Sequence, residues 1–322
     1  MNVYGRLYSA YCRILKNLFP SYWKKKCEAD EIVKRKNPRK WFEYCYRKSF
    51  GRKFDWENPK TLIEKQRWIM FNTDISKWTI LADKYAVRSY IEEKGYGDML
   101  IPLYGKWDSA EDIDFSNLPN DGFVLKTNHG SHDYMIIEDK SNVDLDSIKE
   151  FYREHLQTEF GIDSSEIHYW KIPHCVIAEK LMKQDGNLSS SLIDYKFYVF
   201  HGKPVVCAVF FNRSYSDNTS SFQLYDMDWV LKDVTKGHIP IDIPRPKTYD
   251  KMLQFCNDMC SEFPFVRMDF YEIGGKLYFG EFTFTPCALT AASQVFNPLR
   301  MKEWGKLMDL SIYRKSKESF SC

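Results

Sequence analysis

The 322 residues are too many for one small core and point to two or three subdomains, and 16% of them are aromatic. The net charge of +2 conceals an asymmetry: in residues 1–60 Lys and Arg outnumber Asp and Glu by 16 to 6, so this part carries +10 and the rest −8, which argues against a nucleic-acid partner. Nine cysteines without a Cys-x-x-Cys pair, no apolar run of membrane-spanning length and no signal-peptide core lead us to expect reduced thiols in a cytoplasmic protein.

In chain order, Tyr4, Leu7, Tyr8, Tyr11, Leu15 and Leu18 fall at helical spacing, with Arg6, Arg13 and Lys16 off the stripe and Lys24–Lys26 after it. Such a helix either docks on the protein body or lies on the inner membrane surface, cations towards anionic lipid, through residues 1–26. A basic, aromatic stretch, WFEYCYRKSFGRKF, follows from Trp41. Asn58 to Thr61 reads as the cap of a helix running to about Phe71, and Asp83–Lys94 as another helix. Strands are expected at Met99–Leu103, Phe123–Thr127 and Met135–Asp139, followed by a helix from Val143 to about Thr158. Strand patterns recur at Cys175–Met182, Asp194–Phe200 and Lys203–Phe211, before a polar, mobile loop at Asn212–Ser221. Tyr249–Phe263 reads as a helix, and a closing helix begins near Asn297. Cys256 and Cys260 lie four apart with no histidine at ligand spacing, so a zinc site is not expected. The mixture is α+β with largely antiparallel sheets.

The stretch RMDFYEIGGKLYFGEFTF, Arg267–Phe284, alternates in both arms around Gly274-Gly275 and reads as a β-hairpin. Its register decides what the acids can do. A two-residue loop pairs Ile273 with Lys276 and places Asp269 and Glu281 on opposite faces. A three-residue loop, Gly274–Lys276, pairs Asp269 with Glu281 and Arg267 with Thr283. Side-by-side carboxylates repel, and a divalent cation between them would give a reason for the pair. On the hairpin alone the other reading, a half-exposed hairpin whose acids face water, stays open; the three-residue loop is what a metal site requires.

Lys126 ends the strand FVLK and runs into Thr127-Asn128-His129-Gly130-Ser131, a lysine beside a small polar loop able to hold phosphate oxygens. Neither GxxxxGK[ST] nor GxGxxG occurs. The ordered set NPKTLIEKQRW, LADKYAVRSYI, FVLKTNHGS, DYKFYVFHGK and FPFVRMDFYEIGGKLYFGEFTF, across Asn58–Phe284, resembles the ATP-grasp superfamily of carboxylate–amine ligases. Within it, the chain looks like the TupA-like family of teichuronopeptide biosynthesis.

The resemblance implies an α+β ATP-grasp fold, two subdomains enclosing the nucleotide, with a helical N-terminal extension. Its expected divisions are an extension at 1–57, an N-terminal ATP-grasp region at 58–120, a nucleotide-lid subdomain at 121–182 and a catalytic subdomain at 183–322. ATP and magnesium are the implied cofactors. Lys84 and Lys126 would contact the phosphates, His129, Gly130 and Ser131 would form a flexible lid, and Glu179 with the backbone through Leu181 would meet adenine and ribose. Lys196 matches a further phosphate-reaching position. Asp269 and Glu281 would hold the metal, with Thr283 in place of the usual asparagine, and Arg267 would steady the transferred phosphoryl group. His132 stands where the family's lid has a glycine.

The implied reaction links an amine, such as an amino acid, to the carboxylate of a saccharide acceptor, including a lipid-linked one, in cell-surface polysaccharide biosynthesis. Two other classes use the same nucleotide site: a phosphotransferase acting on a sugar hydroxyl, and a non-catalytic nucleotide-binding relative. Glycosyl transfer would rest on Asp226-Met227-Asp228, which reads as a polar turn before a strand.

Overall fold

The computed structural model describes residues 12–214, 219–288, 295–311 and 313. The helices are α1 (Pro20–Lys36), α2 (Pro38–Phe50), α3 (Leu62–Asn72), α4 (Ser76–Ala82), α5 (Val87–Glu93), α6 (Leu145–His155), α7 (Tyr249–Cys260) and α8 (Pro298–Leu307). The strands are β1 (Leu103–Trp107), β2 (Phe123–Thr127), β3 (Tyr134–Ile137), β4 (Val176–Lys180), β5 (Asp194–Phe200), β6 (Lys203–Ser214), β7 (Thr219–Tyr225), β8 (Leu231–Val234), β9 (Val266–Ile273) and β10 (Lys276–Thr283). They fall into two units: one of residues 1–75, 161–170 and 285–322, the other of 76–160 and 171–284.

The first unit is helical. Asn37 ends α1 and starts α2, its side chain accepting from the Lys40 amide at 3.0 Å while Pro38 occupies the first turn, where no N–H is missed. The predicted start of α3 is a capping box: Thr61 accepts from the Glu64 amide, and Glu64 Oε2 accepts from the Thr61 amide at 2.9 Å. The same buried carboxylate also receives the Lys60 amide, Tyr46 and Arg52, so the cap doubles as the polar centre of this unit. Gly305 on α8 sits where an added Cβ would strike the backbone of Lys60 and Thr61; without a side chain, α8 can approach the start of α3. The stripe expected from Tyr4 to Tyr11 lies outside the described residues, and α1 buries none of its side chains.

The second unit holds two sheets whose strand pairs are all antiparallel. The smaller has the order β1-β4-β2-β3, the larger β10-β9-β5-β6-β7-β8. Alternation divides β2: Phe123 and Leu125 enter an apolar core with Val176, Ala178, Ile148 and Tyr152, and Lys126 faces the other way. On the larger sheet Phe270, Phe279 and Phe282 gather around Phe255 of α7, with ring centroids 5.3, 5.9 and 6.4 Å away. The opposite face of that sheet is thereby left for charged residues.

Three local expectations change. The helix expected from Asp83 begins at Val87, because Asp83 turns its carboxylate onto the Tyr85 and Ala86 amides. The strand expected at Met99–Leu103 is a 3-10 turn at Gly97–Met99, with β1 starting at Leu103. Of the polar stretch expected to loop from Asn212, residues 212–214 and 219–221 are strand, with Ser214 paired to Thr219, since ladder hydrogen bonds need no apolar side chains.

Candidate active site

The hairpin's loop has two residues, not three. Ile273 pairs with Lys276, and Gly274 and Gly275 take φ of +61° and +71°, the left-handed pair that a type I′ turn requires. The expected pairing nevertheless holds, Asp269 opposite Glu281 and Arg267 opposite Thr283, because the register shifts between Phe279 and Glu281. Gly280 is the extra residue of a β-bulge. The bulge also turns Phe279 onto the core face with Phe282, 5.5 Å between ring centroids, instead of leaving it beside Glu281.

Across the sheet β5 lies next to β9, and Lys196 pairs with Asp269. Lys196, Asp269 and Glu281 thus form a row over three strands on the face away from α7. Asp269 is 1% exposed. Lys196 is ion-paired with it and lies 3.0 Å from Asp194, while Arg267 places Nε 2.7 Å and Nη2 2.6 Å from the two Asp269 oxygens. The same Nη2 is 2.7 Å from Glu281 Oε1, which accepts from the Thr283 hydroxyl at 2.9 Å. The repulsion between the two acids is therefore relieved by the Arg267 guanidinium that bridges them. Burial and the Glu281 and Asp194 carboxylates raise the Asp269 pKa against Arg267 and Lys196. At Glu281 burial pushes upward, but Arg267, Lys196 and Lys84 outweigh it and bring the carboxyl down to about 2.

The smaller sheet contributes Lys126, whose Nζ is 2.5 Å from Glu179 Oε2. Arg88, one turn beyond Lys84, reaches Glu179 Oε1 at 3.2 Å and the Ile101 carbonyl at 2.9 Å. Lys84 donates to the Gly130 carbonyl at 2.5 Å, and burial lowers its pKa against the pull of Glu281, Asp133 and Glu179. Lys84, Arg88, Lys126, Glu179 and Gly280 line one cavity of about 20 Å3. That is room for water and not for a nucleotide.

Lys84 and the loop after β2 are fastened together by Asn128. Its Nδ2 donates to Asp83 Oδ1 at 2.8 Å and the Pro173 carbonyl at 2.9 Å, its Oδ1 accepts from the Cys175 amide at 2.9 Å, and its backbone carbonyl accepts from the Lys84 amide at 3.0 Å. His129, expected in a flexible lid, is buried. It stacks on His174 at 3.5 Å and donates from Nε2 to the Thr158 carbonyl at 3.1 Å; burial and His174 bring its pKa down to about 4. Its side chain is an anchor, and Gly130 is held by Lys84 and the Thr127 hydroxyl, which leaves Ser131 and His132 as the exposed end of the loop. His132 holds φ of +67°, the left-handed region of the glycine it stands in for. Leu181 follows β4, half-buried.

Sequence reasoning missed Arg88, Asn128 and Asp194. Arg88 had a signal, since Lys84 and Arg88 stand four apart at a helix start. Asn128 and Asp194 had none, because their partners lie far along the chain. Asp226 is a turn residue, its carboxylate accepting from the Asp228 and Val230 amides and pairing with Lys232 at 2.6 Å. Cys256 and Cys260 are buried free thiols, and among the described residues no group of three His, Cys, Asp or Glu could hold a metal. Asp269, Glu281 and the Thr283 hydroxyl are instead an oxygen-only set that fits magnesium, which commonly takes one or two carboxylates and fills its remaining positions with phosphate oxygens and water.

Two antiparallel sheets, the smaller carrying Lys126 and Glu179 and the larger carrying Lys196, Asp269 and Glu281, give the chain an ATP-grasp architecture. The chain belongs to the TupA-like ATP-grasp family, whose family model matches residues 64–298. It is accordingly an ATP-grasp protein. No curated protein matches the chain. Among solved structures it is similar to the D-alanine–D-alanine ligase of Bacillus anthracis, at 17% identity over 76% of this chain and 72% of that one, TM-score 0.46. It is also similar to an L-amino acid ligase of Bacillus licheniformis, at 10% identity over 76% and 55% of the two chains, TM-score 0.47. The D-alanine–D-alanine ligase of Helicobacter pylori follows at 11% identity over 79% and 68%, TM-score 0.43. Against these three the chain spans 55 to 72% of the partner's length. No described helix is long and apolar enough to cross a membrane.

Proposed function

We propose that the chain amide-links an amino acid or other amine to the uronic-acid carboxylate of a saccharide in cell-surface polysaccharide biosynthesis, by way of an acyl phosphate. The observation that carries this reading is the row of Lys196, Asp269 and Glu281 with Arg267 across it, close enough to Lys84 for the Glu281 charge to act on it. When bound, ATP supplies the phosphoryl group and Mg2+ neutralises charge on it. Asp269, Glu281 and the Thr283 hydroxyl would hold the metal, and Lys84, Lys126 and Lys196 would meet phosphate oxygens, helped by Arg88 once Glu179 turns to the nucleoside. Arg267, which bridges Asp269 and Glu281, would lie against the transferred group, where positioning and charge do most of the catalytic work. A carboxylate acceptor attacks the phosphoryl group without a base; the amine that then displaces phosphate must give up a proton, and His129, turned into the packed interior against His174, is not placed to take it. The saccharide class rests on the family.

The test is ADP release with an oligogalacturonate acceptor and a panel of amino acids. The ligase reading requires both acceptor and amine, and a product heavier than the acceptor by the amine less one water. ADP release without amine, with a phosphorylated saccharide as product, would replace it by a phosphotransferase.

A further inference from the structure

Within the first unit, α2 and the turn after it enclose a groove of about 420 Å3 lined by Lys40, Glu43, Tyr44, Arg47, Lys53 and Phe54. Lys40, Tyr44 and Arg47 stand at i, i+4 and i+7, one face of the helix. Gly51 closes α2 in the left-handed conformation and turns the chain back, so that Lys53 and Phe54 form the opposite wall.

In this unit Lys26, Lys34, Arg39 and Arg52 each have a carboxylate partner, while Lys24, Lys25 and Lys36 pair with none among the described residues. Lys40, Arg47 and Lys53 are exposed, and none pairs with a carboxylate among the described residues. The single acid of the groove, Glu43, is engaged elsewhere: its Oε1 accepts from Trp56 Nε1 at 2.6 Å and lies 3.8 Å from Arg39. Three unmatched cations around one concavity repel one another until anions enter.

We propose that this groove binds an acidic oligosaccharide with carboxylates repeating along its chain, the acceptor of the reaction proposed above; naming the acceptor rests on that reading. The volume falls in the range of sites for whole organic ligands and far exceeds a phosphate ion. Nucleic acid fits less well, because the Tyr44 ring that would stack on a base is already flanked by the Lys26 and Lys48 ammonium groups, at 5.8 and 5.2 Å. A bilayer fits less well, because Phe54 is buried in the wall and does not project towards lipid.

The experiment is fluorescence anisotropy of labelled oligogalacturonate with the full chain and with the triple variant Lys40→Gln, Arg47→Gln, Lys53→Gln, whose folding is checked by circular dichroism. We expect binding that weakens with added salt and falls about tenfold or more in the variant. Equal affinity for a neutral dextran oligomer, or undiminished binding by the folded variant, overturns the proposal. So does binding of phosphatidylglycerol vesicles that the full chain shows and the triple variant loses, which would assign these three cations to a membrane. A chain that binds ATP and releases ADP with an amine and an acidic acceptor, yet loses nothing in the triple variant, overturns the groove and leaves the ligase standing. Groove binding that survives without any ligase turnover overturns the ligase alone.

Discussion

Asp269 and Glu281 are cross-strand neighbours because Gly280 is an extra residue in β10. A Cβ at Gly280 would lie 2.9 Å from the Asp269 carbonyl oxygen and 3.1 Å from its carbonyl carbon. The glycine therefore sets the spacing of the two acids and lets the strands close over it. Gly280→Ala should push β10 off β9, cost about 1–3 kcal/mol, and lower turnover more than it lowers nucleotide affinity. Thermal unfolding beside steady-state kinetics checks this; an alanine variant with wild-type turnover would show that the bulge is not needed for the acid pair.

Asp269→Asn and Glu281→Gln should both abolish turnover, but they should differ in stability. Asp269 is the shared partner of two largely buried cations, Arg267 and Lys196. Removing its charge leaves both under-compensated, a loss on the order of 3–5 kcal/mol for a buried pair. Glu281 is half-exposed and makes one ion pair, so its variant should lose about 1 kcal/mol or less. Denaturant midpoints of the two variants would test the difference, and equal midpoints would contradict it.

Acid should destabilise the protein before its carboxylates titrate. The His129 pKa is held at about 4, below that of an unfolded histidine, so the folded state binds fewer protons. Its contribution is intact above roughly pH 6.5 and is lost as the pH falls from there through about 4, each unit costing on the order of 1.4 kcal/mol at most. Replacement by Gln should flatten this part of the stability–pH curve. Glu281, brought to about 2, acts lower: its contribution is present above the ordinary carboxylate pKa and is lost as the pH falls towards 2. If Glu281→Gln leaves the slope below pH 4.5 unchanged, the ion pair with Arg267 contributes nothing measurable.

Arg88 and Lys126 both lean on Glu179. Arg88→Ala should leave Glu179 held by one cation only and raise the KM for ATP several-fold, with a smaller change in kcat. Lys126→Ala should lower kcat as well, since a phosphate contact is lost in the transition state. Titration with ATP at fixed acceptor separates the two, and a wild-type KM in Arg88→Ala would make that arginine purely structural.

Much of this protein was legible without coordinates where the cause is local. Thr61 and Glu64 announce the start of α3, alternation announces β5 and β9, and the ordered set of motifs from NPKTLIEKQRW to GEFTF carries the resemblance to the family. Other features depend on partners far apart in the chain. A two-residue turn at Gly274-Gly275 would have separated the acids, and only a tertiary fact, the close passage of β10 over the Asp269 carbonyl, makes Gly280 a bulge and reunites them. His129 looks like a loop residue in sequence and becomes a packed anchor because His174 lies under its ring. Local rules determine which residues bend, pair or alternate; which charges meet is decided by strands and loops that come together only when the chain is folded.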